Sequence, residues 1–507
     1  MFSQTFGSTT IGLNGIVITV EVDISNGLPA LDIVGLPDTA VRESKERVRA
    51  AIKNSGFEFP SRRITINLAP ADLKKDSSGL DLPIAIAILA ASGQIILHHY
   101  QQYVFVSELS LEGKLRGISG VLSMAIHCSE QGINQMIVAP DNTQEALLVK
   151  GLTVYAPTTL EQLVLHLNQV TQLLPATKEP FSPPMSNDSE DFADVQGQFV
   201  AKRALEVAAS GGHNLLMTGP PGSGKTMLAR RITSILPVMS PREALEVTKI
   251  YSIAELLPTH TGLISTRPFR SPHHTISAAS MVGGGRIPKP GEVTLSHNGV
   301  LFLDELAEFP RTVLEVLRQP LEDGQVTISR VNASFSYPAR FMLLCAKNPC
   351  PCGFLGDNKK DCTCSTGDIK RYRKKISGPL LDRMDIHVHV PRLEYSEMTT
   401  SIPTESSSEI RQRVTAARAI QYSRLQKYNI FCNAQMGHRH VKTTCHMTHN
   451  AQVMLKQAFE AMNLSARGYD RILKVARTIA DLANSEQISD IHVAEAIHFR
   501  NNIQEFS

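Results

Sequence analysis

Cysteine is scarce in this sequence, and so are long apolar runs and any large excess of charge of one sign. Eight cysteines among 507 residues are too few for a scaffold held together by disulfides. No apolar stretch approaches the roughly 20 residues that a membrane-spanning helix needs, and the N-terminus lacks a basic segment followed by an apolar one. We therefore expect an unexported, cytoplasmic protein with no membrane partner. The net charge of +3 permits nucleic-acid binding but does not argue for it, because a balanced total hides any local patch.

Composition and length predict several globular domains. Polar runs rich in Pro, Ser and acidic residues predict linkers at 173–193 and 393–409. Residues 1–172 mix β-like alternation with helical patterns, which predicts an α/β or α+β domain. Residues 194–392 alternate apolar strands with helical stretches, which predicts a parallel sheet wound with helices, and residues 410–507 predict a helical bundle.

The segment NLLMTGPPGSGKTMLARRITSIL carries the most specific signal in the chain. It fits the pattern G-x-x-x-x-G-K-[ST], with an apolar strand before it and an amphipathic helix after it, as a phosphate-binding P-loop requires. Its glycines let the backbone wrap an anion, Lys225 can reach the β and γ phosphates, and Thr226 can hold Mg²⁺. The predicted ATP-binding residues are Gly219, Pro220, Pro221, Gly222, Ser223, Gly224, Lys225 and Thr226.

A second apolar strand, in GVLFLDELAEFP, ends in two carboxylates. Beside a P-loop, Asp304 is predicted to bind Mg²⁺ together with Thr226, and Glu305 to act as the general base that polarises the attacking water. An isolated Asp-Glu pair can also be an acidic helix cap. Because the sequence contains a P-loop, this alternative is less favoured than a role in the nucleotide site.

Three further polar residues are candidates for the same catalytic site. Asn348 ends the apolar strand in RFMLLCAKNP, where its amide can hydrogen-bond the water or the γ-phosphate without adding charge. Arg383 precedes the strand in DIHVHVP and can reach a neighbouring subunit's nucleotide, whereas Arg467 opens a helix that can fold onto the phosphates as a lid. For each arginine alone, a surface salt bridge is the simpler interpretation.

The order of these motifs resembles that of the AAA+ ATPases. More narrowly, the segments GPPGSGKT, RPFRSPHHTIS, HNGVLFLDELAEFPRTVLEVLRQPLEDGQVTISR, NPCPCG and LSARGYDRILKVARTIADL resemble the magnesium-chelatase-like branch, in particular the competence protein ComM (YifB) family. The resemblance covers nearly the whole chain. It implies a parallel-sheet AAA+ core with a helical lid, and ATP and Mg²⁺ as cofactors.

The same resemblance implies a quaternary structure and a substrate. The chain would form a homo-oligomeric ring, a hexamer, with ATP between subunits, Arg383 acting in trans and Arg467 in cis. The partner would be single-stranded, forked or branched DNA, with recombination proteins as further candidates. The activity would be that of an ATP-driven helicase that promotes branch migration, so that incoming DNA is integrated by homologous recombination during natural transformation. A chelatase-type ATPase that remodels a partner protein is an alternative, which an N-terminal unit foreign to the chelatase motor subunit would argue against.

The N-terminal domain resembles the protease domain of Lon, in LDLPIAIAIL and in the stretch that begins LEGKLRGISG. That enzyme uses a serine nucleophile and a lysine base. Alignment with its two motifs places Gly79 at the serine and Leu122 at the lysine, with Ser77 and Ser78 just before the first position. A serine without a base is a poor nucleophile, so we expect a Lon-like fold without peptidase activity. An ATP-dependent protease is the alternative of a different class.

Three basic segments are candidates for DNA contact, and a structural or subunit-interface role competes in each. The first precedes and includes a glycine-rich loop at 283–285, the second is a predicted β-hairpin, and the third carries an aromatic residue suited to stacking on bases. Their candidate residues are, in order, Arg267, Arg270, His273 and His274; Arg330; and Lys370, Arg371, Tyr372, Arg373, Lys374 and Lys375.

Half of the cysteines fall in one short stretch, NPCPCGFLGDNKKDCTC, at 348–364. They form two C-x-C pairs, Cys350 with Cys352 and Cys362 with Cys364. A short loop can deliver four thiolates to one tetrahedral zinc ion, and a reducing compartment favours metal binding over a disulfide. A structural Zn²⁺ is therefore predicted, with a redox pair or free thiols as alternatives. The other four cysteines are predicted to be buried small hydrophobes.

Overall fold

The structure is a computed structural model that describes residues 1–73, 75, 77–95, 102–178, 190–258, 262–285, 289–330, 333–394 and 404–501. The chain folds into two compact units, one formed by residues 1–183 and 241–264 and the other by 184–240 and 265–507. Parts of both predicted linkers, residues 179–189 and 395–403, lie outside the described residues. Among the described helices, none combines the length and the apolar character needed to cross a membrane.

The first unit is a mixed α/β domain. Its strands are β1 (Phe2–Ile11), β2 (Asn14–Ser25), β3 (Ala30–Val34), β4 (Arg63–Ala69), β5 (Tyr103–Val106), β6 (Glu108–Leu109), β7 (Leu115–Arg116), β8 (Gln135–Val138) and β9 (Thr153–Tyr155). Its helices include α1 (Thr39–Asn54), α2 (Asp81–Ala91), α3 (Val121–Glu130), α4 (Thr143–Ala146) and α5 (Leu160–Leu167). Seven strands form one sheet in the order β3-β4-β2-β1-β5-β8-β9, in which β1, β2 and β4 pair antiparallel and the remaining pairs are parallel.

Strand β1 is a central strand although its sequence, FSQTFGSTTI, is polar. Two of its buried hydroxyls find backbone acceptors on the apolar helix α2. Ser3 Oγ donates to the Ala87 carbonyl at 2.6 Å, and Thr5 Oγ1 donates to the Pro83 carbonyl at 3.0 Å. Because these hydroxyls are hydrogen-bonded, burying them carries little of the usual desolvation cost.

The second unit contains a parallel sheet and a helical lid. Its strands are β10 (Leu215–Thr218), β11 (Phe269–Arg270), β12 (Gly283–Gly284), β13 (Lys289–Pro290), β14 (Val300–Leu303), β15 (Gln325–Arg330), β16 (Ala333–Pro338), β17 (Met342–Lys347) and β18 (Ile386–His389). The helices that follow α5 in the chain are α6 (Phe199–Gly211), α7 (Lys225–Ile235), α8 (Pro241–Ile253), α9 (Ala278–Val282), α10 (Glu292–Leu295), α11 (Arg311–Val316), α12 (Arg318–Asp323), α13 (Thr366–Lys374), α14 (Gly378–Leu381), α15 (Ser407–Leu425), α16 (His438–Thr444), α17 (His449–Ala461), α18 (Ala466–Leu482) and α19 (Asp490–Asn501).

The five-stranded sheet of this unit runs β11-β14-β17-β10-β18, and all its pairs are parallel. Strands β10, β14 and β17 are buried along their whole length, as expected when helices cover both faces of a parallel sheet. The carboxyl ends of neighbouring parallel strands meet at one edge, and the loops that follow β10, β14 and β17 all leave from it. The predicted parallel-sheet core is confirmed, and so is the predicted hairpin, which is β15 paired with β16.

Helix α8 belongs to the first unit, although the chain on either side of it belongs to the second. The hydroxyl of Ser252 accepts a hydrogen bond from the Gly120 N–H at 3.1 Å and donates one to Glu145 Oε2 at 2.6 Å. The same carboxylate accepts from the Leu122 N–H at 3.1 Å and from Asn142 Nδ2 at 2.6 Å. Burial raises the pKa of Glu145. A buried acceptor with three donors therefore holds this inserted helix.

The described part of residues 404–501 is helical, which confirms the predicted C-terminal bundle. Its helix α18 is joined to the sheet by buried polar contacts. Arg471 donates to Asp385 Oδ1 at 2.8 Å, and His213 Nε2 lies 2.8 Å from Thr478 Oγ1. Burial opposes ionisation of Asp385, but His213 and Arg471 outweigh it and hold the pKa of that carboxyl below its usual range. This contact lies at the edge where β18 begins.

Candidate nucleotide and metal site

The P-loop connects the carboxyl end of β10 to the first turn of α7. Gly224, the residue before α7, has a φ of +88°, which favours glycine because other residues meet a steric penalty there. The backbone N–H groups of the loop and of the helix N-terminus are thereby available to an anion. The local geometry is that expected for a phosphate cradle.

Lys225 is buried at this loop, with 8% of its surface exposed. Its ammonium donates to the carbonyls of Gly219 and Pro220, both at 2.8 Å, and lies 3.4 Å from Asn348 Oδ1. Burial lowers its pKa. A cation held among loop carbonyls in this way is positioned to bind the β and γ phosphates.

Thr226 and Asp304 lie together at the mouth of the P-loop. Thr226 Oγ1 donates to Asp304 Oδ2 at 2.6 Å, which joins the start of α7 to the end of β14. A hydroxyl and a carboxylate in contact here are the oxygen pair that holds Mg²⁺ in P-loop ATPases. The two residues predicted as magnesium ligands from distant motifs are therefore brought together, and they fit a hard cation.

Glu305 follows Asp304 with a φ of +50°, a left-handed conformation that is uncommon for a residue with a side chain. Such strain is concentrated at functional sites. Its carboxylate is 58% exposed and lies 3.5 Å from His274 Nδ1. His274 in turn packs against His273 with ring centroids 4.0 Å apart. The candidate base is thus accessible to water and has an imidazole beside it.

Asn348 lies where the third loop leaves the sheet, directly after β17. Its side-chain oxygen is the one that faces the Lys225 ammonium. Tyr372, buried on α13, hydrogen-bonds the backbone of Asn348, and its pKa is raised to about 12, mainly by burial. Asn348 is therefore fixed by its neighbours beside the phosphate-binding lysine.

Arg383 and Arg467 share one carboxylate, that of Glu322. Arg383 is 8% exposed and is ion-paired to Glu322, and Arg467 NH1 lies 3.6 Å from the same side chain. The Arg383 carbonyl accepts from Asn214, the residue before β10, so this group lies where β10 begins, whereas the P-loop leaves from the other end. The structure pairs Arg467 with Glu322, and the cis role implied by the resemblance stays a prediction.

Several of the basic candidates make contacts within the fold. Arg267 donates to the carbonyls of Pro237 and Asn298, both at 2.7 Å, and Arg270 is ion-paired to Glu292 at 2.7 Å. On the third segment Tyr372 is buried, so it is not available as a stacking surface, which corrects the expectation from sequence. Lys375 pairs with Glu308 at 3.1 Å and Arg371 with Asp368 at 2.8 Å. Residues 286–288, next to the glycine-rich loop, and the side chain of Arg330 lie outside what the structure describes.

The two positions aligned with the Lon catalytic pair lie in the first unit. Gly79 is in a short 3₁₀ turn, and its N–H donates to Ser77 Oγ at 3.1 Å. Leu122 is a buried residue of α3 whose N–H is bonded to Glu145. Neither position offers a nucleophile or a base.

The four clustered cysteines meet at one point. Their Sγ atoms all lie within 4.8 Å of one another, and the pairs Cys350–Cys352 and Cys350–Cys362 are 3.3 and 3.6 Å apart. A tetrahedral ion with Zn–S bonds of about 2.3 Å needs sulfurs about 3.8 Å apart, so this arrangement fits one zinc ion. The Cys352 N–H also points at Cys364 Sγ, at 3.4 Å, as second-layer donors do around metal thiolates. All eight cysteines are unpaired, and Cys128, Cys345, Cys432 and Cys445 are buried.

Two residues of the site were missed from the sequence. Gln198, with a φ of +53°, donates through its amide to the Pro391 carbonyl at 2.7 Å and lies 3.4 Å from the Ser223 carbonyl. Arg392, just after β18, donates to the Pro221 carbonyl at 3.4 Å. No motif marks either residue, since each acts through contacts made across the fold.

Comparison with family models defines the class of protein. The model described as "Magnesium chelatase, subunit ChlI" matches residues 191–398, and its C-terminal counterpart matches 404–500. A third model, "Subunit ChlI of Mg-chelatase", matches residues 20–142 of the first unit. Together with the P-loop and the parallel sheet, these matches define a magnesium-chelatase-like AAA+ ATPase. They also remove the argument that the N-terminal unit is foreign to the chelatase subunit.

Full-length relatives narrow the assignment. The chain is 44% identical to competence protein ComM of Haemophilus influenzae over 501 residues, which cover 98% of this chain and 96% of that protein. It is 45% identical to YifB of Salmonella typhimurium and 44% identical to YifB of Escherichia coli, with 97% of this chain and 95% of each relative covered. The chain belongs to the ComM/YifB family.

Proposed function

We propose that the chain is an ATP-driven, ring-forming DNA motor that promotes the integration of incoming DNA in natural transformation. The observation that carries the ATPase part is the convergence of Lys225, Asn348 and the Thr226–Asp304 pair at one edge of the parallel sheet. The competence role is supported by the family, which includes a competence protein aligned along nearly the whole chain, and DNA is the substrate that we propose for that role. Branch migration is the specific activity proposed, on single-stranded, forked or branched DNA.

Each group at the proposed site has a role that follows from its chemistry. The P-loop amides and Lys225 would bind the phosphates, and Thr226 and Asp304 would hold Mg²⁺, which would supply neutralisation of the phosphate charge. Glu305 accepts the proton of the attacking water, and Asn348 orients that water or the γ-phosphate. Arg383, on the opposite edge of the sheet, is proposed to stabilise the transition state on a neighbouring subunit's nucleotide. Arg467 lies on the same side as Arg383, because both contact Glu322. The role of Arg383 requires an oligomer, proposed to be a hexamer.

The test is strand displacement and branch migration on forked and three-stranded DNA with ATP and Mg²⁺. We expect displacement that requires hydrolysable ATP and ATPase activity that rises when DNA is added. Lys225→Ala is the matched control, because it removes the phosphate-binding cation from an otherwise unchanged loop and should abolish turnover. Intact rings that hydrolyse ATP at the same rate with or without DNA, and displace no strand, would contradict the DNA part of the proposal while leaving the ATPase part intact.

A chelatase-type remodelling ATPase is the second candidate, and it is favoured by the matches of the ChlI models to both units. Stimulation of ATP hydrolysis by a porphyrin-chelatase partner, and not by DNA, would support it. Casein with ATP is a third arm of the same assay. Degradation there would support the Lon-like protease, against which Gly79 and Leu122 argue.

For the cysteine cluster we propose a structural Zn²⁺ bound by Cys350, Cys352, Cys362 and Cys364. The observation that supports it is the mutual distance of the four sulfurs. Metal analysis of the purified chain should give about one zinc per chain, and less than roughly 0.3 in protein never exposed to a chelator would argue against a tight site.

A further inference from the structure

The cysteine loop, residues 350–364, lies against the P-loop. Gly353 has a φ of +86°, and a Cβ placed on it would lie 2.6 Å from Pro221 Cδ and 2.7 Å from Pro221 Cγ. The same Cβ would lie 3.8 Å from Cγ of Asn348. Only a residue without a side chain allows this approach, so the backbone of the loop lies against the Pro221 ring of the phosphate-binding segment and near Asn348, the residue that faces Lys225.

A cation ties the same two loops together from the side. Arg392 donates to the Pro221 carbonyl at 3.4 Å and lies 3.8 Å from Asp357 Oδ2. Its guanidinium also lies 6.0 Å from the ring centroid of Phe354. Asp357 and Phe354 both belong to the cysteine loop, and Asp357 is 2% exposed in its side chain. The contact at Gly353 is therefore one of several between these loops.

The four cysteines bracket the part of the loop that makes these contacts. Nine residues separate Cys352 from Cys362, and this stretch contains no helix or strand. A segment without regular hydrogen bonding has many conformations when its ends are free. An ion that joins both cysteine pairs fixes the two ends of this segment and removes most of its conformational freedom. The free energy of metal binding offsets the entropy lost when the segment is ordered.

We propose that the metal-loaded cysteine loop is a clamp on the P-loop, and that metal binding at the four cysteines sets the affinity of the adjacent site for ATP. The clamp acts by holding Gly353 and Asp357 in place, so that Pro221 and Asn348 are already in the conformation that binds phosphate. Pre-ordering of this kind raises affinity without adding a contact to the ligand. The inference rests on the proposed ATPase function and adds to it a metal-dependent control of the nucleotide site.

A pair of glycines in the loop supplies the test. Gly353 and Gly356 both have positive φ, +86° and +76°, so alanine brings the same type of backbone strain at each position. They differ in their surroundings, because a Cβ on Gly356 has no atom within 4 Å. Binding of a fluorescent ATP analogue to the zinc-loaded full chain is measured for Gly353→Ala and Gly356→Ala. We expect Gly353→Ala to weaken binding about tenfold, because the added methyl group clashes with Pro221 and displaces it. Gly356→Ala should change binding less than about twofold. Zinc content and circular dichroism establish that both variants are folded and metalated.

Removal of the ion is the second arm and does not depend on how Gly353→Ala folds. Chelator-stripped wild type should bind the analogue at least about tenfold more weakly, and added Zn²⁺ should restore binding. Arg392→Gln should weaken binding with zinc still bound. Wild-type affinity in folded, zinc-loaded Gly353→Ala, or in stripped wild type, would overturn the clamp, and so would a purified chain without metal. Zinc-loaded wild type that binds no nucleotide would instead refute the ATPase function itself.

Discussion

His274 Nδ1 lies 3.5 Å from Glu305 Oε2, so an imidazole from the segment after β11 contacts the candidate general base at the end of β14. The neighbouring His273 packs on the His274 ring but is itself hydrogen-bonded to Thr275, at 2.9 Å between Nδ1 and Oγ1. The two histidines were candidates for a DNA-binding loop. From this contact we propose that His274 is a positioning residue for Glu305, the carboxylate proposed to activate water.

His274→Ala should therefore lower kcat for ATP hydrolysis about tenfold while leaving KM for ATP within about twofold, because the carboxylate is misdirected but the phosphate cradle is intact. His273→Ala is the matched control and should have a smaller effect. Glu305→Gln gives the reference for complete loss of the base, and it should trap ATP on the protein. A His274→Ala variant with wild-type kcat would show that the contact has no catalytic consequence.

The hydrogen bond from Thr226 to Asp304 predicts that the hydroxyl, and not the size of the side chain, matters at position 226. Thr226→Ser should keep most of the ATPase activity. Thr226→Ala should lose at least about tenfold in activity and require more Mg²⁺ for half-maximal rate, because one of the two proposed protein ligands is gone. The measurement is a Mg²⁺ titration of the ATPase rate. Equal Mg²⁺ requirements for the two variants would argue against Thr226 as a ligand.

The position of Arg383 at the opposite edge of the sheet from the P-loop predicts recovery of activity in mixed rings. Arg383→Ala alone should reduce ATPase activity about 10³-fold, as loss of an arginine finger does, and Lys225→Ala should abolish it. Mixing the two variants creates interfaces at which an intact P-loop faces an intact Arg383. Activity should reappear there and pass through a maximum as the ratio is varied; mixtures that stay inactive at every ratio would mean that Arg383 acts within its own chain.

Much of the site could be predicted because its signals are local. The P-loop places its glycines, Lys225 and Thr226 within one short motif, and the parallel sheet brings Asp304 and Asn348 to the same edge once their strands are recognised. The remaining parts depend on contacts between distant segments. Arg392 and Gly353 contact Pro221 because the fold brings distant segments together, and nothing in the sequence around them indicates a partner.

The fold shows the same division. Apolar strands such as β10 and β14 are predicted from their patterns, whereas β1 is not, because several of its buried side chains are hydroxyls, and those of Ser3 and Thr5 bond to carbonyls of α2. Helix α8 has an ordinary helical pattern, which does not indicate that Ser252 will bond to Gly120 and Glu145 of the first unit. Periodicity reports which face of an element is buried but not which partner covers it.

Ser252→Ala should destabilise the first unit, because it leaves the Gly120 N–H and the buried Glu145 carboxylate each without one partner. The expected loss is about 1–3 kcal/mol in the free energy of unfolding, which corresponds to a fall in Tm of several degrees for the unit's transition in calorimetry. A double-mutant cycle with Glu145→Gln should show coupling of at least about 0.5 kcal/mol, since the two side chains are in contact. Additive effects would place the stabilisation elsewhere.

His387 predicts a specific loss of stability in acid. It is buried in β18, and burial, together with the charges of Arg500 and Lys347, lowers its pKa from 6.5 to about 3. Between these two pH values the unfolded chain binds a proton that the folded chain does not, so the free energy of unfolding falls as the pH is lowered through this window. On going from pH 7 to pH 5, this one group should lower the free energy of unfolding by about 2 kcal/mol. The loss is about 1.4 kcal/mol for each pH unit below the pKa that His387 has in the unfolded chain.

His387→Leu removes the titrating group and fills the buried position with an apolar side chain of similar size. On going from pH 7 to pH 5, the free energy of unfolding of the second unit should therefore fall about 2 kcal/mol less in this variant than in wild type, whatever the variant's stability at pH 7. Chemical denaturation at both pH values measures the difference, and other acidic groups cancel because both chains share them. Identical losses in the two proteins would show that His387 is protonated in the folded state or accessible to water there.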